Sequence, residues 1–166
     1  GTLAVDASNR LRVRVRIQAG ANGALIGEFD SLDQGANGIT LADIVATGQV
    51  AIDTETDGRD CVTARLVGIS LATASNKACY IPLEHGGHDL LSVRPEQLPV
   101  ALVLERLKPL LEDPAILKIG HNLKFDWVVF ERSGIAIAPY DDTLVMSFNL
   151  DAGVLNSHAL DDLAKK

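Results

Sequence analysis

Asp53 and Glu55 stand one residue apart at the end of the apolar run Val50-Ala51-Ile52. A strand alternates its side chains, so both acids face one side, about 6.5–7 Å apart along the chain, with Thr54 and Thr56 turned to the other. Two carboxylates placed this way raise each other's pKa unless a cation neutralises them. Oxygen ligands of this kind suit hard divalent cations such as Mg²⁺ and Mn²⁺. A solvated strand end carrying a chance acid pair is the alternative that this stretch alone leaves open.

A third acid lies about 70 positions on, in the stretch Gly120 to Phe130. Asp126 shares a helical face with Val129 and Phe130, its neighbours at i+3 and i+4. An unpaired carboxylate on a buried face costs several kcal/mol, so Asp126 requires a partner. A metal ion is one. The helix dipole, together with Lys124, is another.

The elements that must position these acids follow from periodicity and breakers. Residues 11–17 alternate apolar and basic and predict a half-exposed strand, with Arg12, Arg14 and Arg16 on one face. Leu25 to Phe29 predicts another short strand. Thr40 caps a short helix to Ala46, closed by Gly48. Val50 to Thr54 predicts a buried strand, and Leu66 to Thr73 with Ala78 to Leu83 a hairpin. A helix is expected from Pro95 to about Leu111, stopped by Asp113-Pro114. Ile116 to Ile119 predicts a short strand, and Asn122 the cap of a helix to about Ser133, ended by Gly134. Asp141 to Leu150 predicts a helix, and His158 opens the last. Strands first, then strand–helix alternation, indicate an α/β fold: a mixed sheet with helices packed on it.

The chain has 166 residues, 47% of them apolar, enough for a folded domain with a core. Its apolar runs fall short of the roughly 18–20 residues that a membrane helix needs. It shows no signal peptide pattern. It opens Gly1-Thr2-Leu3 without Met, consistent with a piece of something longer. A net charge of −7 argues against a broad basic surface for nucleic acid, though not against a cleft that holds it through cations. Cys61 and Cys79 carry no partner motif and read as reduced cytosolic thiols.

Asp53-Thr54-Glu55 on a strand, followed by His121-Asn122-Leu123-Lys124-Phe125-Asp126 opening a helix, resembles the first two motifs of the DEDD 3′–5′ exonucleases. The match is nearest to the proofreading domain of bacterial family A DNA polymerases. Leu66 to Ala72, Tyr80 to His85, Leu107 to Asp113, Asp142-Thr143-Leu144 and His158 to Ala164 agree with it as well. The resemblance covers residues 25–166 and leaves residues 1–24 as an extension or linker with a possible strand.

The resemblance implies a ribonuclease H-like fold, with antiparallel strands first and parallel strands after. It implies two divalent ions, Mg²⁺ or Mn²⁺, about 3.5–4 Å apart. Asp53 bridges both, Glu55 holds the first and contacts the 3′-hydroxyl, and Asp126 serves the second, partly through water. Thr54 and Asn122 are implied substrate contacts, and Arg59 is a candidate one by stacking or phosphate contact, with a solvent-facing side chain as the alternative. Arg59 stands where the family usually has an apolar wedge against the terminal base. The implied substrate is the 3′ end of single-stranded DNA, with a polymerase domain in the same parent chain, in the cytoplasm at the bacterial nucleoid.

The family's fourth acid comes from a late Tyr-x-x-x-Asp pattern. Tyr80 is followed at that spacing by Glu84 and Tyr140 by Leu144, so neither fits. The expectation is a domain that stops before its last motif, with the fragment weak or inactive. His121 to Asp126 also reads H-x-x-x-x-D, the last motif of a sister subgroup, but accepting it leaves no second motif between Glu55 and His121. A ribonuclease D-like RNA exonuclease and a degenerate exonuclease fold kept as a spacer are the competing readings. Trp127 is expected in the core, His158 as a cap or packing residue, and His85 and His88 as loop residues without a site.

Overall fold

The computed structural model describes residues 3–5, 11–19, 24–30, 39, 41–85, 97–151 and 153–164. Three N-terminal strands, β1 (Leu3–Val5), β2 (Leu11–Ala19) and β3 (Ala24–Asp30), form one antiparallel sheet in that order. The alternating stretch from Leu11 is therefore a strand. Ala24 to Asp30 pairs with it and groups with the N-terminal strands, not with the main sheet.

The rest of the chain runs α1 (Leu41–Thr47), β4 (Gln49–Thr56), β5 (Leu66–Ala74), β6 (Lys77–Pro82), α2 (Val100–Leu111), β7 (Leu117–Gly120), α3 (Lys124–Arg132), β8 (Tyr140–Asp142), α4 (Thr143–Asp151) and α5 (Leu160–Leu163). The five main strands lie in the order β6-β5-β4-β7-β8. β4, β5 and β6 are antiparallel neighbours, while β7 and β8 run parallel to β4 and to each other. This is the mixed sheet expected from the sequence, with one strand more. Asp141 and Asp142 belong to β8, and the helix expected from Asp141 begins at Thr143. Helix α2 begins at Val100, after an extended Pro99, later than expected. Thr40, His88 and Pro95 lie outside the described residues.

The two faces of the main sheet differ, and strand alternation sets the difference. On one face, Val50 and Ile52 of β4, Ile69 and Leu71 of β5 and Ile81 of β6 meet the helices. Those helices contribute Ile44, Val103, Leu107, Leu111, Leu123, Val129 and Phe130. On the other face the register places Asp53 opposite Ser70 and Ser70 opposite Tyr80. Glu55 stands opposite Gly68, and Ala51, Ala72 and Ala78 form the row beside them. One face is thus a packed apolar core and the other a floor of small residues carrying acids. Gly48 turns the chain from α1 into β4 with φ of 65°, in the left-handed region that glycine tolerates, and donates its amide to Ile44 O at 3.0 Å. Both cysteines are free, Cys79 within the core, where burial pushes its thiol up to about 12. No helix among the described residues is long and apolar enough to cross a membrane.

Lys118 on β7 is 0% exposed. Its ammonium donates to the carbonyls of Asp113 (2.9 Å), Ile116 (2.6 Å) and Ala138 (2.6 Å), so two turns converge on one cation. Burial lowers its pKa, against a smaller rise from Asp113. The three carbonyls lie in the turns entering β7 and β8, where the chain is aimed at His121 and Asp142. Lys118→Met keeps the stem and removes the donors, and should destabilise the fold by on the order of 3 kcal/mol through unsatisfied carbonyls. Urea unfolding checks this; a loss below about 0.5 kcal/mol would show that solvent reaches these carbonyls.

Candidate active site

Asp126 is the most buried of the three acids, 3% exposed. Its Oδ1 accepts two hydrogen bonds from one residue of β4: the Thr54 amide at 2.7 Å and the Thr54 hydroxyl at 2.5 Å. Strand pairing explains why that amide is open. β7 pairs with β4 only as far as Ala51, and beyond it this edge of β4 has no strand beside it among the described residues. Helix α3, which follows β7, fills the gap and gives the edge a carboxylate. Thr54, expected as a substrate contact, is 7% exposed with both its amide and hydroxyl engaged by Asp126. Its place is that of an anchor for the acid.

Asp53 lies on the opposite face of the same strand end and is solvent-accessible. Even so, burial of its base against the sheet raises its pKa, a rise opposed by His121 and by the Thr54 amide. Asp126 is also raised, chiefly by burial, against the two Thr54 hydrogen bonds, with the charge of Asp53 adding to the rise. The charge of Asp53 is thus felt at Asp126 across β4. Lys124 forms no ion pair with Asp126 among the described residues.

A cavity of about 840 Å³ opens over the small-residue face. Asp53, Glu55, Tyr80, His85, His121 and Thr143 line it together with the alanine row. Asp126 sits behind this wall at the strand edge, and its side chain is not part of the lining. Thr143 Oγ1 donates to Gly120 O at 3.0 Å and so must accept from His121 Nδ1, 2.9 Å away. Nδ1 is therefore the protonated nitrogen, and Nε2 is left for the cavity.

Asn122 opens the α3 segment in another way than expected. Its φ is 64°, and no side-chain hydrogen bond caps the helix. The open amides are met by Asp142 from the end of β8. Its Oδ1 accepts from Asn122 and Leu144, and its Oδ2 from Leu123, all at 2.9 Å. One carboxylate thus fixes the starts of both α3 and α4. The chain after β4 is also held. Asp57 accepts from the Arg65 amide and guanidinium, both at 2.7 Å, and Arg132 of α3 donates to Cys61 O and Ala64 O. Arg59 is exposed on this loop. Trp127, expected in the core, is 44% exposed, because the face of α3 that carries Asp126, Val129 and Phe130 inward turns position 127 outward. His158 packs as expected, stacked on Phe148 at 4.0 Å and bonded to Ser147.

The acidic donors at this strand end are carboxylate oxygens, which suit a hard divalent cation, with His121 beside them. Among the described residues, however, no group of three His, Cys, Asp or Glu side chains is already gathered to hold a metal ion.

Fold and acids together define a ribonuclease H-like domain with carboxylates at the end of its central strand. Residues 36–166 match the family model described as 3′–5′ exonuclease, and the chain belongs to that family. DNA polymerase I of Rhizobium leguminosarum is 44% identical over 139 residues, which are 76% of this chain and 14% of that protein. DNA polymerase I of Pseudomonas aeruginosa is 38% identical over 138 residues, 81% of this chain and 15% of that protein. The chain thus spans about a seventh of the length of these relatives. Among solved structures, Brucella melitensis NrnC bound to pGG is similar with a TM-score of 0.57 and 26% identity, covering 78% of this chain and 56% of that one. The same protein is also described with bound Mg²⁺.

A carboxyl raised in the folded chain is held at neutral pH in an unfavourable charged form. That penalty is full above the folded pKa and fades as pH falls through it toward the ordinary 3.8. Asp126→Asn keeps an oxygen for Thr54 and removes the charge. Without metal it should raise stability at pH 7 by on the order of 1 kcal/mol. The gain should shrink as pH falls through the raised pKa. Urea unfolding at neutral and acidic pH measures both, and a variant less stable than the native chain at pH 7 would show that the charge is already compensated.

Proposed function

We propose that this chain is the 3′–5′ exonuclease domain of a DNA polymerase I, hydrolysing the terminal phosphodiester of single-stranded DNA with two divalent ions, Mg²⁺ or Mn²⁺. The observation that carries this reading is the convergence on one strand end of Asp53 and Glu55, which line the open cavity, and Asp126 of α3, which is anchored to Thr54 between them. Asp53, Glu55 and Asp126 are the residues that hold the ions. When bound, these supply charge neutralisation and lower the pKa of the attacking water.

The chain's own residues do the positioning. Thr54 fixes Asp126, and Asp142 fixes the turn that leads to it. Glu55 stands at the cavity mouth, where it can meet both an ion and the 3′-hydroxyl. In this reading His121 Nε2, which faces the cavity, and Asn122 next to it would contact the end of the strand, and Arg59 would meet a phosphate or base just beyond it. A degenerate spacer is disfavoured because all three acids are present and their surroundings are built to hold them. The polymerase relatives favour DNA over the ribonuclease D-like alternative.

Calorimetric titration of Mn²⁺ into this chain should give a saturable heat that Asp53→Ala abolishes. Equal, negligible heats in both would overturn the metal assignment and favour the spacer. In the full-length polymerase proposed to carry this domain, a 5′-labelled single strand should shorten from its 3′ end. Asp53→Ala should slow that shortening by at least about 10²-fold. An RNA strand of the same sequence degraded faster than the DNA would favour the ribonuclease-like alternative.

A further inference from the structure

Tyr80 and His85 line the cavity that holds Asp53 and Glu55. The Tyr80 hydroxyl and His85 Nε2 are 2.5 Å apart, and the two rings are tilted at 58°. His85 is itself held: its amide donates to Gln97 Oε1 at 2.6 Å, and its carbonyl accepts from Gln97 Nε2 at 3.0 Å. A loop residue gripped at both backbone groups by one side chain presents its imidazole in a fixed place.

The phenol leans from β6 across β5 toward β4. It occupies the space that a Cβ at position 68 would need, and such a Cβ would collide with both its hydroxyl and its ring. Gly68 is the direct cross-strand partner of Glu55. The hydroxyl therefore sits above the residue beside Glu55, on the same face of the sheet. Electrostatics agree with the placement: the pKa of Tyr80 is pushed up to about 12, by burial first and then by the charge of Glu55. The hydrogen bond between the Tyr80 hydroxyl and His85 Nε2 holds the phenol over Gly68, on the face of the sheet that carries Glu55.

We propose that Tyr80 and His85 are positioning residues for Glu55: His85 holds the phenol over Gly68, on the face that carries the carboxylate, and so limits where Glu55 can sit when it takes a metal ion. This rests on the metal-binding reading of the site. It assigns a task to a loop histidine and a strand tyrosine that form no part of the acidic motifs.

Mn²⁺ affinity measured by calorimetry tests it without reference to activity. Tyr80→Phe removes the hydroxyl and keeps the ring over Gly68. It should weaken Mn²⁺ binding about 10-fold, the usual scale for a group acting behind a ligand. His85→Ala should do the same, His85→Gln should restore most of the loss by returning a hydrogen-bond partner, and the Tyr80→Phe/His85→Ala double variant should lose no more than either alone. On a Glu55→Gln background, Tyr80→Phe should change nothing further. Gly68→Ala, which displaces the ring by another route, should match Tyr80→Phe. Native affinity in folded Tyr80→Phe, or a full additional loss on the Glu55→Gln background, overturns the proposal while leaving the metal site intact. Absence of any Mn²⁺ heat in the native chain overturns the metal reading, and this proposal falls with it.

Discussion

Asp126 is nearly shut off from water and, among the described residues, forms no ion pair with a cation of the protein. The two hydrogen bonds from Thr54 to its Oδ1 allow it to stay there. They join residues 72 positions apart and dock helix α3 on the open edge of β4. Hydrogen bonds to a charged acceptor are stronger than neutral ones, yet here they leave the carboxyl with a raised pKa, so they offset only part of the burial. What remains is a carboxylate fixed in direction and short of positive charge. That combination is costly for a structural acid and well suited to one that receives a cation.

The other half of the site follows from what the sheet leaves out. Gly68, Ser70, Ala51, Ala72 and Ala78 carry little side chain, so the face opposite the helices holds an open cavity rather than a second core. Asp53 and Glu55 rise from that floor because strand alternation sends Val50, Ile52 and Thr54 the other way. One strand end therefore serves two environments. Thr54 reaches through the core side to hold Asp126, while its neighbours on either side face the cavity. The acids approach one another across the thickness of a single strand, close enough for the charge of Asp53 to raise Asp126.

The local part of this arrangement was legible in the sequence. Period-two alternation put Asp53 and Glu55 on one side, and i+3/i+4 spacing put Asp126 on the buried face with Val129 and Phe130. The partners were not legible, because each joins segments that only the folded topology brings together. The family resemblance implied a substrate contact for Thr54, and nothing in the chain announces that α3 will cover its edge. Asn122 was expected to cap α3 with its own side chain, but the capping carboxylate is Asp142, from a strand too short to be recognised by periodicity. Lys118 in a four-residue strand looks like a solvated charge; its three carbonyl partners come from turns on both sides of it. Trp127 was placed in the core on composition alone, although the same spacing that buries Asp126 turns it outward.

Helix α3 also makes the site and its entrance one rigid unit. Asp126 in its first turn holds β4 at Thr54, and Arg132 in its last turn holds the following loop at Cys61 and Ala64. Six residues of helix separate these anchors by about 9 Å. The chain between them, from Glu55 through Arg59, is thus fixed at both ends to the same short bar. The exposed Asp57–Arg65 pair closes the loop on itself but adds little stability in water; the backbone carbonyls held by Arg132 are what tie it to the body of the domain. A shift of α3 therefore cannot move Asp126 without also moving the loop that displays Arg59. The geometry of the acids and of the residue beyond them is set by one packing interface, that of Val129 and Phe130 against the sheet.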